Sequence, residues 1–214
     1  MRYLIVCGGK IDKEFGLNEI KTDGIDAIIA ADSGMDFLYE NGVTPDIIVG
    51  DFDSTTTNAL EYFERKGQTE IRRLNPIKDD TDTEYAIRLA ISEGARSIVL
   101  LGATGSRIDH VLGNISLLGI GLESGTDISI IDTNNRIRMA DKPVTIEKSA
   151  QYGRFVSLIA LTDDNEVSLK GFKYPVTDYS FDRFTSLGIS NEIVDDNAVI
   201  DIHRGKFIII ESKD

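Results

Sequence analysis

Up to about residue 135 the chain alternates short apolar runs with stretches whose apolar residues recur at helical spacing, a rhythm that few architectures accept. The runs fall at 3–7, 27–31, 47–49, 71–74, 98–101 and 128–131, each the length of a buried strand. Between them Met35, Phe37 and Leu38, then Ala59, Leu60 and Phe63, then Ala86, Leu89 and Ala90, then Val111, Leu112, Ile115 and Leu118 line up as helix faces. Gly42, Gly67, Gly94 and Gly125 follow these stretches as stop signals. Strands alternating with helices predict a mostly parallel sheet covered on both faces.

Past Asn135 the helical periodicity fades. Short strand-like runs at 137–139, 144–146, 155–161, 167–169, 199–202 and 207–210 are separated by turn signals at Asp141, Pro143, Gly153, 163–165 and 203–205. The predicted architecture is therefore α/β: a Rossmann-like three-layer domain over 1–135, followed by an antiparallel β-sandwich over 136–214.

With 214 residues and 41% hydrophobic content, the chain can bury a substantial core. The opening M-R-Y-L-I-V-C-G-G is too short in its apolar part for a secretion signal and reads as a first strand. No stretch approaches the ~20 apolar residues of a membrane span, and the single Cys7 can form no internal disulfide, so a cytoplasmic protein is expected. A formal charge of −13 argues against nucleic acid or an anionic membrane as the main partner, and tolerates a cationic small molecule.

Aspartates crowd the ends of the predicted strands, where ligands bind in an open parallel sheet. Asp32 and Ser33 follow the second run, Asp51 and Asp53 the third, Asp79, Asp80 and Asp82 the fourth, and Arg107 with Asp109 the fifth. Helix capping accounts for single residues such as Ser54, Thr81, Asp82 or Asp109. It does not account for a pair straddling Phe52, or for three aspartates between 79 and 83. Carboxylates massed at one rim repel unless a cation lies between them, and hard oxygen donors suit Mg²⁺ or Mn²⁺. Such metal usually brings phosphate, for which Arg107 offers a planar fork and Lys78 a point charge. Gly8, Gly9, Gly102 and Gly105 would let backbone approach a nucleotide. Neither G-x-x-x-x-G-K-[ST] nor G-x-G-x-x-G occurs in a strand-to-helix turn, which argues against P-loop kinases and typical dehydrogenases.

Five motifs in order, A-A-D-S-G at 30–34, P-D-I-I-V-G-D-F-D-S at 45–54, K-D-D-T-D-T-E at 78–84, G-A-T-G-S-R-I-D-H-V-L-G-N at 102–114 and S-L-G-I-S-N-E at 186–192, resemble thiamine pyrophosphokinases over nearly the whole chain. The resemblance implies a homodimer that moves the terminal diphosphate of ATP to the hydroxyl of thiamine and releases AMP. It implies that Asp51, Asp53 and Asp82 hold Mg²⁺ against the triphosphate. Thr81, Arg107 and Asp109 would contact phosphate or order the metal's surroundings, with Asp32, Ser33, Lys78, Gly102 and Asn114 also around the nucleotide. Ser190 and Asn191 would line the thiamine pocket across a subunit boundary. Asp82 and Asp109 are the candidates for taking the hydroxyl proton.

The chain departs from eukaryotic relatives, which place a tryptophan against thiamine, because it has none. Tyr179, Phe181 and Phe184 are the nearby aromatic candidates for stacking. His110 reads as a helix-packing or supporting residue, and His203, in a predicted hairpin turn, as solvated. On the residues alone two other readings stay open: a metal-dependent phosphoesterase, and a non-catalytic nucleotide- or thiamine-binding protein.

Overall fold

In the computed structural model, which describes residues 1–52, 58–75 and 80–214, each apolar run of the first half forms a strand. These are β1 (Arg2–Val6), β2 (Ala27–Ala31), β3 (Ile47–Gly50), β4 (Glu70–Arg73), β5 (Ser97–Leu101) and β6 (Asp127–Ile131). Helices α1 (Lys13–Ile20), α2 (Gly34–Glu40), α3 (Ala59–Lys66), α4 (Asp82–Ser92) and α5 (Ile108–Ser124) connect them. They lie in the first of two units, Met1–Thr133 and Asn134–Asp214.

Within the first unit all strand pairs are parallel, in the order β6-β5-β1-β2-β3-β4. Leu4, Ile5, Ile29, Ile48, Ile98 and Leu100 are fully buried, as strands covered on both faces require. Right-handed crossovers put α1, α2 and α3 on one face and α4 and α5 on the other. The chain steps outward from β1 to β4 and then returns to β5 on the far side of β1, so the order reverses between β1 and β5. Ligand crevices form at such reversals, outside the carboxyl ends of the strands.

The stop glycines take the positive φ that helix ends call for: Gly67 and Gly125 cap α3 and α5 at φ 64° and 73°. Helix α1 is absent from the periodicity because its middle is Gly16. A Cβ there would lie 2.6 Å from Ile11 Cγ2 and 2.7 Å from Phe37 Cζ, so the helix packs through a bare backbone instead of an apolar stripe. Asp12 caps it, accepting the Phe15 N–H at 2.9 Å.

The second unit contains β7 (Asn135–Ala140), β8 (Val144–Glu147), β9 (Phe155–Ala160), β10 (Glu166–Lys170), β11 (Val176–Ser180), β12 (Asn191–Glu192), β13 (Asn197–Arg204) and β14 (Phe207–Ser212). They form two antiparallel groups, β12-β9-β14-β7 and β11-β10-β13-β8. Val156, Leu158, Phe207 and Ile209 of the first share one core with Ile146, Val167, Leu169, Ala198 and Ile200 of the second, which makes a sandwich. Strand β11 escapes sequence patterning because four of its five residues are exposed.

One charge is sealed into this unit. Glu211 on β14 is fully buried, gripped by Arg136 through Nε–Oε1 at 2.9 Å and Nη2–Oε2 at 2.7 Å, and by Arg138 at 2.8 Å. The Tyr152 backbone N–H adds a bond at 2.9 Å. His203 is exposed, as expected, but lies in β13 and not in the hairpin turn, and its Nε2 is 3.0 Å from the hydroxyl of buried Ser168 and 3.3 Å from Asp178.

Candidate active site

Loops from four strands of the first unit surround one cavity of about 1150 Å³ at the reversal point. The β1 loop supplies Cys7, Gly8, Gly9 and Lys10, the end of β2 supplies Asp32 and Ser33, and the start of α4 supplies Thr81, Asp82 and Thr83. The β5 loop and α5 supply Gly102 to Arg107, Asp109, His110, Gly113, Asn114 and Leu117. The loops close tightly because the β1 loop lacks a side chain where it meets α2: a Cβ on Gly8 would sit 2.1 Å from Ser33 Oγ.

Three carboxylates gather here. Asp32, Asp51 and Asp82 each offer an oxygen, all within 4.8 Å of one another, and each residue is partly buried. The backbone is strained to deliver two of them, since Asp32 holds φ 49° and Phe52, next to Asp51, holds φ 64°. Left-handed backbone at a bulky residue costs on the order of 1–3 kcal/mol and collects at functional sites. Six oxygens at about 2.1 Å around Mg²⁺ lie about 3 Å apart when adjacent and about 4.2 Å when opposite. The observed separations and the all-oxygen donor set therefore suit a small hard cation.

Thr81 is the N-cap of α4 and accepts the Glu84 N–H at 3.2 Å, which leaves Asp82 as the first helical residue. Arg107 and Asp109 form a two-pronged pair, Nε–Oδ1 at 3.2 Å and Nη2–Oδ2 at 2.6 Å, on an exposed rim. The guanidinium holds the Asp109 carboxyl down at about 2. Asn114 is turned to the loop: its Nδ2 donates to the Ala103 carbonyl at 2.8 Å. Gly102, at φ 67°, turns β5 into that loop, and Thr104 anchors it by donating to Asp132 at 2.9 Å. Cys7 at the floor is buried, which pushes its thiol up to about 11, and its sulfur accepts from Thr83 Oγ1 at 3.7 Å.

In the second unit Ser190 is exposed at φ 60°, its N–H held by Ser157 Oγ at 2.9 Å. Asn191 is buried and clasps the Tyr174 backbone from both sides, accepting its N–H at 3.1 Å and donating to its carbonyl at 2.9 Å.

The family model described as thiamin pyrophosphokinase, catalytic domain, matches residues 21–130, and that described as thiamin pyrophosphokinase, vitamin B1 binding domain, matches residues 143–207. The thiamine pyrophosphokinase of Bacillus subtilis is 34% identical over 188 residues, 87% of this chain and 87% of its own. The chain belongs to the thiamine pyrophosphokinase family.

Solved structures agree. The thiamine pyrophosphokinase crystal structure from Bacillus subtilis matches with a TM-score of 0.89 at 31% identity, covering all of both chains. That from Geobacillus thermodenitrificans matches at 0.87 and 29%, covering all of this chain and 98% of the other. Family membership makes the chain an enzyme of the transferase class.

For a thiamine pyrophosphokinase the structure redistributes some of the expected parts. Asp51 and Asp82 do come together, whereas Asp53 and Lys78 lie outside the described residues. Asp32, expected beside the nucleotide, completes the carboxylate trio. The signal for this was strand adjacency, because β2 and β3 pair with Ala31 opposite Val49 and end side by side. Lys10, missed in the sequence reading, lines the cavity. His110 is exposed at the cavity instead of packing the helix. Among the aromatics Phe181 is core, edge-on to Phe207 at 5.9 Å, and so is withdrawn from any stacking role. Tyr174, which no motif singled out, stands 62% exposed beside Asn191.

Proposed function

We propose that the chain transfers the terminal diphosphate of ATP to the hydroxyl of thiamine, giving thiamine diphosphate and AMP. The observation that supports this most is the meeting of Asp32, Asp51 and Asp82 beside a cavity of about 1150 Å³ at the sheet's reversal point. These carboxylates, with Asp53 as the resemblance implies, would hold Mg²⁺. Bound there, the ion offsets charge on phosphoryl oxygens. Arg107 presents a planar fork to the same cavity, and Asp109 keeps that fork oriented until a phosphate competes for it.

While it is paired with Arg107 the Asp109 carboxyl is held at about 2 and is a poor proton acceptor, so in that state its part is to position the guanidinium. Phosphoryl transfer through a loose transition state asks little of a base, and orientation with charge neutralisation carries the reaction. We assign the thiamine side to the second unit, where Ser190 presents its hydroxyl from a strained turn and Tyr174 offers the aromatic face that tryptophan gives in eukaryotic relatives. Exposed Phe184, Leu187, Ile189 and Val194 support a homodimer that covers this surface.

The test is incubation with ATP, Mg²⁺ and thiamine, with nucleotides separated by chromatography. Thiamine-dependent AMP is expected. ADP would indicate single-phosphate transfer, and phosphate released without thiamine would indicate hydrolysis; either sinks the reading. Equilibrium sedimentation should give twice the chain mass of 23.6 kDa.

A further inference from the structure

A glycine in a helix interior is unfavourable relative to alanine, so its presence asks for a reason. In α5, Gly121 has one: a Cβ there would lie 2.5 Å from the Thr126 carbonyl oxygen and 2.9 Å from Ile128 Cγ1. Gly113 has no such reason. Beyond its chain neighbours and the helix's own backbone, a Cβ there would meet no described atom within 4 Å, and the residue is exposed where it lines the cavity. Since the fold does not call for glycine at this position among the described residues, the demand for space comes from what fills the cavity.

Strand order fixes which part of a ligand reaches it. Asp32 and Asp51 follow β2 and β3, while α5 follows β5, on the other side of β1. Two to three strand spacings of about 4.8 Å separate β2 and β3 from β5, about 10–14 Å in all. A nucleotide with its phosphates at the carboxylates and its length along the rim therefore arrives at α5 with its nucleoside end. Gly113 lies five residues past Ile108, about 7.5 Å along the helix axis. Asn114 ties this turn to the β5 loop through Ala103, while Thr83 and Glu84 of α4 and Leu117, one turn further along α5, line the same cavity. The flat backbone at Gly113, an apolar side chain and polar edges make a slot suited to a sugar and a planar base.

We infer that Gly113 is a specificity-determining residue whose missing side chain leaves the room taken by the nucleoside of the nucleotide substrate; this rests on the nucleotide-dependent reading above. The test is calorimetric titration of ATP, and separately of inorganic tripolyphosphate, into the full chain with Mg²⁺ and without thiamine. Gly113→Leu should weaken ATP by about tenfold or more and leave tripolyphosphate unchanged, with Gly113→Ala intermediate for ATP. Gly113→Ala should also melt about 2–4 °C higher than wild type, which shows that the helix accepts a side chain there. Equal ATP affinity in wild type and Gly113→Leu, or equal loss of both ligands in a folded Gly113→Leu, overturns the inference. A wild type that binds tripolyphosphate but not ATP also overturns it, whereas one that binds neither removes the nucleotide reading beneath it.

Discussion

Asp32, Asp51 and Asp82 hold like charges within 4.8 Å of one another, and that proximity has a sign that can be measured. Two unit charges about 4 Å apart repel by about 1 kcal/mol in water, and by more when partly buried. Without divalent ion, Asp32→Asn should therefore melt higher than wild type by a few degrees. With Mg²⁺ and ATP the order should reverse, because the wild type gains binding energy that the variant loses, and turnover of the variant should fall by about 100-fold. Melting curves in EDTA and in Mg²⁺·ATP check both halves, and an unchanged order would remove Asp32 from the cation's ligands. A second residue-scale outcome concerns Asp109. Its folded carboxyl titrates at about 2 against an ordinary 3.8, so whatever stability its pairing contributes is present above about 3.8 and is lost as pH falls through about 2. Arg107→Ala should return the Asp109 titration followed by NMR toward 3.8. Asp51 and Asp82 were legible in sequence because neighbouring acids marked their motifs, whereas Asp32 stands alone in A-A-D-S-G. Its place in the trio depends on β2 and β3 ending side by side, which one-dimensional spacing does not carry.

At the scale of elements, the second unit closes its sandwich over a buried carboxylate. Glu211 on β14 is matched across the ladder by Arg136 on β7, and Arg138, two residues along the same strand, completes the grip. Removing one partner from a buried ion pair leaves uncompensated charge, which costs about 3–5 kcal/mol. The arginines here keep about a quarter of their side-chain surface exposed, so solvent reduces the figure. Glu211→Gln should lose about 2–3 kcal/mol in urea unfolding; a loss under half a kcal/mol would show that the network is incidental to stability. The strands of both units were readable wherever burial was two-sided or strictly alternating, as in A-I-I-A-A of β2 and F-I-I-I of β14. Elements held by other means were not: α1 packs through Gly16 and an Asp12 cap, and β11 carries V-T-D-Y-S with four exposed residues. His203 was misplaced because Gly205 marks the turn two residues later and β13 continues through Arg204.

The whole chain carries a formal charge of −13, a property that needs no fold to be read and that acts on both proposed substrates with opposite sign. Thiamine carries a permanent positive charge on its thiazolium ring, and the magnesium complex of ATP is anionic. A negatively charged protein concentrates the first near its surface and disfavours the second, in proportion to the range of its field. That range is about 30 Å at 0.01 M salt and about 8 Å at 0.15 M, so salt should separate the two substrates. Raising ionic strength across this interval should increase the KM for thiamine several-fold, while the KM for the ATP complex stays level or falls. Local cations such as Lys10 and Arg107 line the cavity and soften the repulsion there, which is why the larger change belongs to thiamine. Initial-rate measurements at fixed pH with each substrate varied in turn decide the matter. A rise of both constants together would mean that salt weakens the enzyme generally, and the acidic field would then have no part in drawing thiamine to its site.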